Sequence, residues 1–152
     1  MAKKKAAKKK APAKKSRAAP ARRSKGVRKV YGGPLIVGGN VIPICKCVRA
    51  GDFVFCSGQV PFKDGAPMTT GSIEEQTEVT MLQIKEILEG AGCKLSDIIK
   101  ATVWLRDKSD FAGFNKTYAK FITGDPPARS TVQSNLMVDA RIEIEVVAYK
   151  PL

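Results

Sequence analysis

The sequence has no histidine among its 152 residues. Imidazole is the usual general base near neutral pH, so any acid–base chemistry must come from Glu, Asp, Lys or Tyr, or from water and the backbone. Four cysteines are present, at spacings of 2, 9 and 37 residues that differ from the usual zinc-binding pairs: Cys45, Cys47, Cys56 and Cys93. We therefore expect no metal site, with buried, reduced thiols as the main interpretation and a four-thiolate zinc site as the alternative.

Long hydrophobic runs are also missing. No apolar stretch approaches the about 20 residues that a membrane-spanning helix requires, and the N-terminal segment lacks the apolar centre of a secretory signal. We therefore expect no membrane partner and a location in the cytoplasm, with the nucleoid as the alternative suggested by the basic segment described next.

Acidic residues are absent from residues 1–30, which carry 14 of the 27 Lys and Arg side chains. The rest of the chain holds 13 basic and 14 acidic residues, a net charge of −1. Residues 2–26 contain only Ala, Lys, Arg, Pro, Ser and Gly, and such a segment cannot bury enough surface to offset its ordering entropy. These features predict a disordered basic tail over residues 1–30 and one domain over residues 31–152.

The basic tail resembles the tails of linker histones and bacterial histone-like proteins in its clustered Lys, Ala and Pro. Each phosphate that such a tail neutralises releases condensed counterions, so its composition favours contact with DNA or RNA. A solubilising or targeting extension is the alternative, and an organelle-targeting peptide is disfavoured because those peptides are amphipathic and rich in Arg and Ser.

The hydrophobic pattern of the domain alternates strands with two helices. After a linker or turn over Gly32–Gly39, the apolar run within Asp52–Ser57 predicts a strand buried on both faces. Ser72 and Glu75 predict a capping box, followed by a helix to about Glu89. That helix has a core stripe at spacings of 4, 3 and 4 residues: Thr77, Met81, Ile84 and Leu88.

Further along, Ile98–Arg106 alternates as a strand does. A second helix, capped by Ser109 or Asp110, carries aromatic residues at spacings of 3, 4 and 3: Phe111, Phe114, Tyr118 and Phe121. Two last strands follow over Arg129–Met137 and Ile142–Tyr149. This order predicts an α/β protein of the α+β type, with two helices on one face of a sheet.

Two segments place charge where a core is expected. Pro126 and Pro127 fix the backbone before Arg129, which is therefore delivered at the start of a strand with little freedom. In the last strand, Ile142, Ile144 and Val146 share one face while Glu143 and Glu145 share the other. Those carboxylates either face water or hold a paired, functional charge.

Several motifs in register are similar to the RidA family, also called YjgF or L-PSP. They are GDFVFCSGQVP, GSIEEQTEVTMLQIKEILEGAG, ATVWLRDKSDFAGFNKTYAKFI, PPARSTV and VDARIEIEVVAYKP, which together span roughly residues 44–152. The resemblance implies a chorismate-mutase-like single domain with a mixed sheet, a homotrimer with a site in each cleft between subunits, and no cofactor. It also implies a deaminase that hydrolyses 2-iminobutanoate and 2-iminopropanoate, or their 2-aminoacrylate tautomers, to 2-oxo acids and ammonia.

The same resemblance implies roles for individual residues. Arg129 is expected to grip the substrate carboxylate, and Glu143 to position and activate the water that attacks the imine carbon. Ser57 and Asn115 match positions that line the cleft, and the backbone around Thr131 matches the segment that holds the imine nitrogen.

One departure from the family pattern concerns a tyrosine that closes the cleft, because Ile44 stands at its position here. A hydroxyl is lost there, which leaves open a relative that binds ligands without turnover. A third hypothesis is a nucleic-acid-associated protein anchored by the basic tail, with the domain as a ligand-binding or ribonuclease-type module. The sequence shows no phosphodiester-cleaving site, since it lacks histidine and an acidic metal cluster.

Overall fold

The computed structural model describes residues 28–37 and 39–151. The helices and strands, in chain order, are β1 (Arg28–Tyr31), β2 (Leu35–Val37), β3 (Asn40–Ile42), β4 (Cys47–Ala50), β5 (Phe53–Cys56), β6 (Phe62–Lys63), β7 (Ala66–Pro67), α1 (Ile73–Gly90), β8 (Ile98–Leu105), α2 (Phe111–Tyr118), β9 (Ala128–Gln133) and β10 (Ile142–Tyr149). Short 3₁₀ turns at Leu95–Asp97 and Lys108–Asp110 lead into β8 and α2.

Six strands form one mixed sheet in the order β1-β4-β5-β10-β8-β9. β8 and β9 are parallel, as strands joined through a helix can be, and the other neighbouring strands are antiparallel. The remaining strands form two small hairpins, β2–β3 and β6–β7. Helix α1 packs on β5 and β10, and α2 packs on α1. The predicted α+β class, with a mixed sheet and two helices, is confirmed.

Helix α1 begins where the capping box predicts. Ser72 Oγ accepts a hydrogen bond from the Glu75 backbone N–H, and the Glu75 carboxylate accepts one from the Ser72 N–H, so two otherwise unpaired donors are satisfied. The predicted core stripe from Thr77 to Leu88 is buried throughout. The helix ends at Gly90, and Gly92 just beyond it has a φ of 79°, a conformation that favours glycine.

The last strand separates its two faces as predicted. Ile142, Ile144 and Val146 are at most 1% exposed and belong to the core beneath the helices. Glu143 and Glu145 are half-buried on the opposite face, which we call the open face because neither helix covers it. The alternation of β10 therefore sets which side of the sheet carries the carboxylates.

The apolar strand β5 corrects one prediction. Its continuous apolar run predicts burial on both faces, yet Phe53 and Phe55 are 40% and 47% exposed while Val54 and Cys56 are buried. Within one chain the helices cover only one face of the sheet, so alternate residues of β5 stay on the open face.

Other boundaries also differ from the predictions. Helix α2 ends at Tyr118, before Phe121, and Phe111 is 48% exposed because it lies at the outer side of the first turn. Strand β9 ends at Gln133, short of Met137. The predicted linker over Gly32–Gly39 instead contains β2 and leads into the hairpin with β3.

The start of the domain lies earlier than residue 31. Strand β1 begins at Arg28 and pairs with β4, so the predicted boundary falls inside an edge strand of the sheet. Residues 1–27, which make up the rest of the predicted tail, lie outside the described residues.

A charged contact fixes helix α2 relative to β10. The Arg141 guanidinium, just before β10, donates to both oxygens of Asp110, with Nε at 3.0 Å from Oδ2. Asp110 is 4% exposed and stands directly before α2. The Arg141 backbone N–H also donates to Gln76 Oε1 of α1 at 2.8 Å. These bonds tie both helices to the strand that carries Glu143.

Candidate functional site

Glu143 lies on the open face of β10, opposite Trp104 of β8. Burial, followed by the nearby charge of Glu145, raises the pKa of its carboxyl above the ordinary value of 4.5. The Glu143 side chain also lies against the backbone of Gly58: a Cβ built on Gly58 would fall 2.0 Å from Oε1. A side chain at position 58 would displace the carboxylate, so this glycine permits the close approach.

Ser57 lies just beyond β5 and beside Gly58. Its hydroxyl donates to the Cys45 carbonyl at 2.7 Å, and its backbone N–H donates to the Lys46 carbonyl at 3.0 Å. The segment before β4 is thereby held against the end of β5. Ile44, at the position where the family has tyrosine, is 46% exposed in that segment.

Arg129 begins β9 and points to the helical side of the sheet, where it pairs with the buried Ala101 of β8. Its guanidinium carbon lies 4.9 Å from the ring centre of Phe114 and 5.1 Å from that of Tyr118. Its NH2 group donates to Asn115 Oδ1 at 2.7 Å. Two aromatic faces and one amide therefore hold the guanidinium in place.

Asn115 is itself oriented by its own helix. Its Nδ2 donates to the Phe111 carbonyl at 2.8 Å, one turn earlier in α2, which leaves Oδ1 directed at Arg129. The predicted cleft residue Asn115 and the predicted carboxylate clamp Arg129 are therefore in direct contact.

Two hydroxyls near Arg129 are buried without a hydrogen-bond partner in the described part of the chain, those of Thr131 and Tyr118. Thr131 is on the same side of β9 as Arg129, opposite Val103, and the pKa of Tyr118 is raised by burial. Leaving a buried hydroxyl unpaired costs about 1–3 kcal/mol. Unpaired polar groups beside a cation are typical of a site that receives a polar ligand.

The five predicted site residues therefore form two groups. The first, Arg129 with Asn115 and Thr131, lies on the helical side of the sheet at edge strand β9. The second, Glu143 and Ser57, surrounds Gly58 at the junction of β5 and β10. Clefts of about 350 and 260 Å³ in the described chain are lined by none of the five. A single chain does not bring Arg129 to Glu143.

Sequence reasoning did not identify three residues that shape these groups. Gly58 appears in the sequence only as a glycine after a strand, a signal of close backbone approach that points to no particular partner. Phe114 and Tyr118 were assigned to the core from their spacing; both are buried, and the rings also support Arg129. That second role depends on the pairing of β8 with β9.

Among residues 28–37 and 39–151, no three His, Cys, Asp or Glu side chains are grouped as metal ligands. In the same residues, no helix is long and apolar enough to cross a bilayer.

Comparison with known proteins adds a family. The model of the family described as Endoribonuclease L-PSP matches residues 42–150, a span that contains all five predicted site residues. A RutC family protein of Pyrococcus horikoshii is 44% identical over 111 residues, which cover 71% of this chain and 87% of the relative. The protein named Reactive Intermediate Deaminase A, chloroplastic, of Arabidopsis thaliana is 36% identical over 108 residues, or 70% of this chain and 58% of that protein.

Solved structures give the same architecture. The crystal structure of yeast Mmf1 aligns with a TM-score of 0.71 and 32% identity, covering 82% of this chain and 99% of the yeast chain.

Proposed function

Because the chain belongs to the L-PSP family, also called YjgF or RidA, we propose that it is a deaminase of reactive imino acids. Its substrates would be 2-iminopropanoate and 2-iminobutanoate, or their 2-aminoacrylate tautomers. The printed name of the Arabidopsis relative supports a deaminase-type activity. The observation that carries the proposal is the supported guanidinium of Arg129, a preformed receptor for a small carboxylate.

Arg129 binds the substrate carboxylate in this proposal. One of its NH2 donors is used by Asn115, and no carboxylate of the described residues lies within salt-bridge distance of it. The remaining guanidinium donors are therefore available for a charge-assisted, two-pronged contact with the ligand. The unpaired hydroxyls of Thr131 and Tyr118 lie on the same side and offer further contacts.

Glu143 acts as the general base. Its carboxylate takes a proton from a water molecule as the oxygen bonds to the imine carbon, and the imine nitrogen is protonated to give a carbinolamine. Proton return to that nitrogen breaks the C–N bond, which releases ammonia and leaves the 2-oxo acid. A raised pKa suits this role because a base is most effective when its pKa approaches the working pH.

The two groups of site residues must come from different subunits for this chemistry. Arg129 and Glu143 are on opposite sides of one sheet, so one chain cannot present both to a substrate of a few atoms. Proteins of this family are typically trimeric. We propose that this chain forms a homotrimer in which the Arg129 group of one subunit faces the Glu143 group of its neighbour, with the exposed Phe53 and Phe55 covered in the assembly.

The activity test uses 2-aminoacrylate generated from serine by a dehydratase. Its disappearance is followed with wild-type protein, with Arg129→Ala and without protein. We expect wild type to accelerate the loss and Arg129→Ala to resemble the protein-free reaction. Equal rates in all three reactions would contradict the deaminase proposal. Ligand-induced thermal stabilisation without turnover would instead support a binding protein, with Ile44 in place of tyrosine as the reason.

A second proposal concerns residues 1–30, in which 14 basic side chains occur without one acid. We propose that this segment binds DNA or RNA phosphates and holds the protein at nucleic acid within the cytoplasm. The exposed Arg28 and Lys29 of β1 continue its charge into the folded domain. Gel-shift binding should weaken steeply with salt, and a chain lacking residues 1–27 should bind much less. Undiminished binding by that shortened chain would contradict the proposal.

A further inference from the structure

We propose that Cys47 and Cys56 are a redox modification site, at which a hydroperoxide converts two facing thiols to a reversible cross-strand disulfide. Both cysteines are free and buried in the structure. Neither takes part in the proposed deamination, so the inference stands apart from it.

The strand register places the two cysteines opposite each other. Cys47 of β4 pairs directly with Cys56 of β5, and both side chains are on the helical side of the sheet, as their burial shows. Because a disulfide joins residues whose Cα atoms are about 4.4–6.8 Å apart, most pairs of cysteines in a fold are excluded from bonding by distance alone.

The hydrogen-bond pattern shows which kind of pair this is. The bond from the Ser57 N–H to the Lys46 carbonyl lies one residue beyond the two cysteines. In an antiparallel ladder hydrogen-bonded and non-hydrogen-bonded pairs alternate, so Cys47 and Cys56 form a non-hydrogen-bonded pair. Such pairs have Cα atoms about 4.5 Å apart and the closer side chains, a separation within the range of a disulfide.

The thiols already interact in the reduced state. The Cys56 thiol is hydrogen-bonded to the sulfur of Cys47, which lowers the pKa of Cys47 and raises that of Cys56. The Arg49 charge lowers the pKa of Cys47 further, although burial opposes both effects. Cys47 is therefore the thiol that ionises first and attacks the oxidant, and Cys56 is the thiol that resolves the intermediate.

The chemical step balances with a hydroperoxide as oxidant. The Cys47 thiolate attacks one peroxide oxygen, the O–O bond breaks, and the leaving oxygen takes a proton to give water or an alcohol. The resulting sulfenic acid is attacked by the Cys56 sulfur, which forms the S–S bond, while the sulfenic oxygen leaves as water with the Cys56 proton. Two thiols lose two electrons and the peroxide gains them.

The disulfide would act next to the proposed site. Cys56 directly precedes Ser57, and Cys47 lies two residues after Cys45, whose carbonyl accepts the Ser57 hydroxyl. A covalent bond between β4 and β5 at this point fixes the segment that carries Ile44 against the end of β5.

Peptide mapping of wild-type protein tests the proposal. Trypsin places the four cysteines in four different peptides, because Lys46, Arg49, Lys63, Lys85 and Lys94 separate them. After hydrogen peroxide treatment and acid alkylation, we expect the Cys47 peptide linked to the Cys56 peptide. We also expect the intact mass to fall by two hydrogens and dithiothreitol to restore it.

Matched variants assign the bond. Cys47→Ser and Cys56→Ser should abolish the mass change, whereas Cys93→Ser should keep it, although Cys93 is also buried and hydrogen-bonded to Arg49. Circular dichroism shows whether each variant folds, and the wild-type map remains decisive if one does not. Linkage of any other pair, or unlinked Cys47 and Cys56 peptides after oxidation, would overturn the proposal. Neither result depends on deaminase activity.

Discussion

Arg129 and Glu143 occupy opposite faces of the same sheet, separated by strand β8. Arg129 pairs with Ala101 and contacts the rings of α2, whereas Glu143 pairs with Trp104 on the open face. The clamp and the base therefore cannot serve one substrate within one chain. This relationship links the proposed chemistry to assembly, because an isolated subunit would bind the carboxylate without a base beside it.

Replacing Arg129 tests the carboxylate clamp. Arg129→Ala should lower kcat/KM about 100-fold, or ~2.7 kcal/mol, since a charge-assisted contact to the substrate is lost. Arg129→Lys should recover only part of that loss, because an ammonium keeps the charge but cannot form the two-pronged contact or stack equally on Phe114 and Tyr118. Steady-state kinetics measure both, with Lys116→Ala on the same helix as the control. Full activity of Arg129→Ala would exclude the clamp.

Gly58→Ala tests the position of Glu143. The added Cβ would lie 2.0 Å from Oε1, so the carboxylate must move. A displacement of about 1 Å at a reacting group costs about 100-fold in rate, and we expect a loss of that order in kcat. Gly90→Ala is the control, because nothing lies within 4 Å of its added Cβ and alanine suits a helix better than glycine. Unchanged kcat in Gly58→Ala would mean that Glu143 does not need this place.

The pH dependence of the reaction tests Glu143 as base. Activity should fall on acidification through the raised pKa of its carboxyl. Glu145→Gln removes one of the two causes of that rise, so the acid limb of the kcat profile should move to lower pH, while burial keeps the pKa above 4.5. An acid limb that ignores Glu145→Gln would indicate another titrating group.

Thermal stability should show the same pKa with a defined sign. Between 4.5 and the raised pKa, the folded state binds more protons at Glu143 than the unfolded state does, so the free energy of unfolding falls as pH rises. Glu143→Gln should therefore have a higher Tm than wild type at neutral pH, and the difference should shrink below pH 4.5. A lower Tm of Glu143→Gln at neutral pH would contradict the raised pKa.

Tyr118→Phe separates ligand binding from packing. The Tyr118 hydroxyl is buried without a partner among the described residues, so its removal should leave the free energy of unfolding unchanged or raise it by about 1 kcal/mol. If the hydroxyl meets the substrate, KM should rise several-fold while the ring still supports Arg129. Denaturant unfolding and kinetics measure the two effects. Lower stability with unchanged KM would assign the hydroxyl a purely structural role.

Local patterns were sufficient for much of the fold. The capping box at Ser72, the stripe of α1 and the alternation of β10 are properties of neighbouring residues, and each is confirmed. The two-sided burial of Phe53 and Phe55 was wrong, because periodicity reports that a residue is apolar and not which partner covers it. The early start of the domain at Arg28 was missed because its pairing with β4 is a distant contact.

The candidate site divides in the same way. The proline pair points to Arg129 and the alternation of β10 points to Glu143, and the contact of Arg129 with Asn115 agrees with the family pattern. The separation of Arg129 from Glu143 depends on the order β10-β8-β9 and on the face to which each side chain points. Neither follows from spacing along the chain. The approach of Gly58 to Glu143 is likewise set by the joining of β5 and β10.

Mixed trimers test the shared site most directly. Arg129→Ala and Glu143→Gln proteins, each inactive alone, are unfolded together in equal amounts, refolded and assayed with 2-aminoacrylate. A site is intact when its Arg129-bearing subunit and its Glu143-bearing neighbour are each of the right kind, so about a quarter of wild-type activity should return. The two variants mixed without unfolding are the control. No recovery in a refolded, confirmed trimer would contradict a site shared between Arg129 and Glu143 of neighbouring subunits.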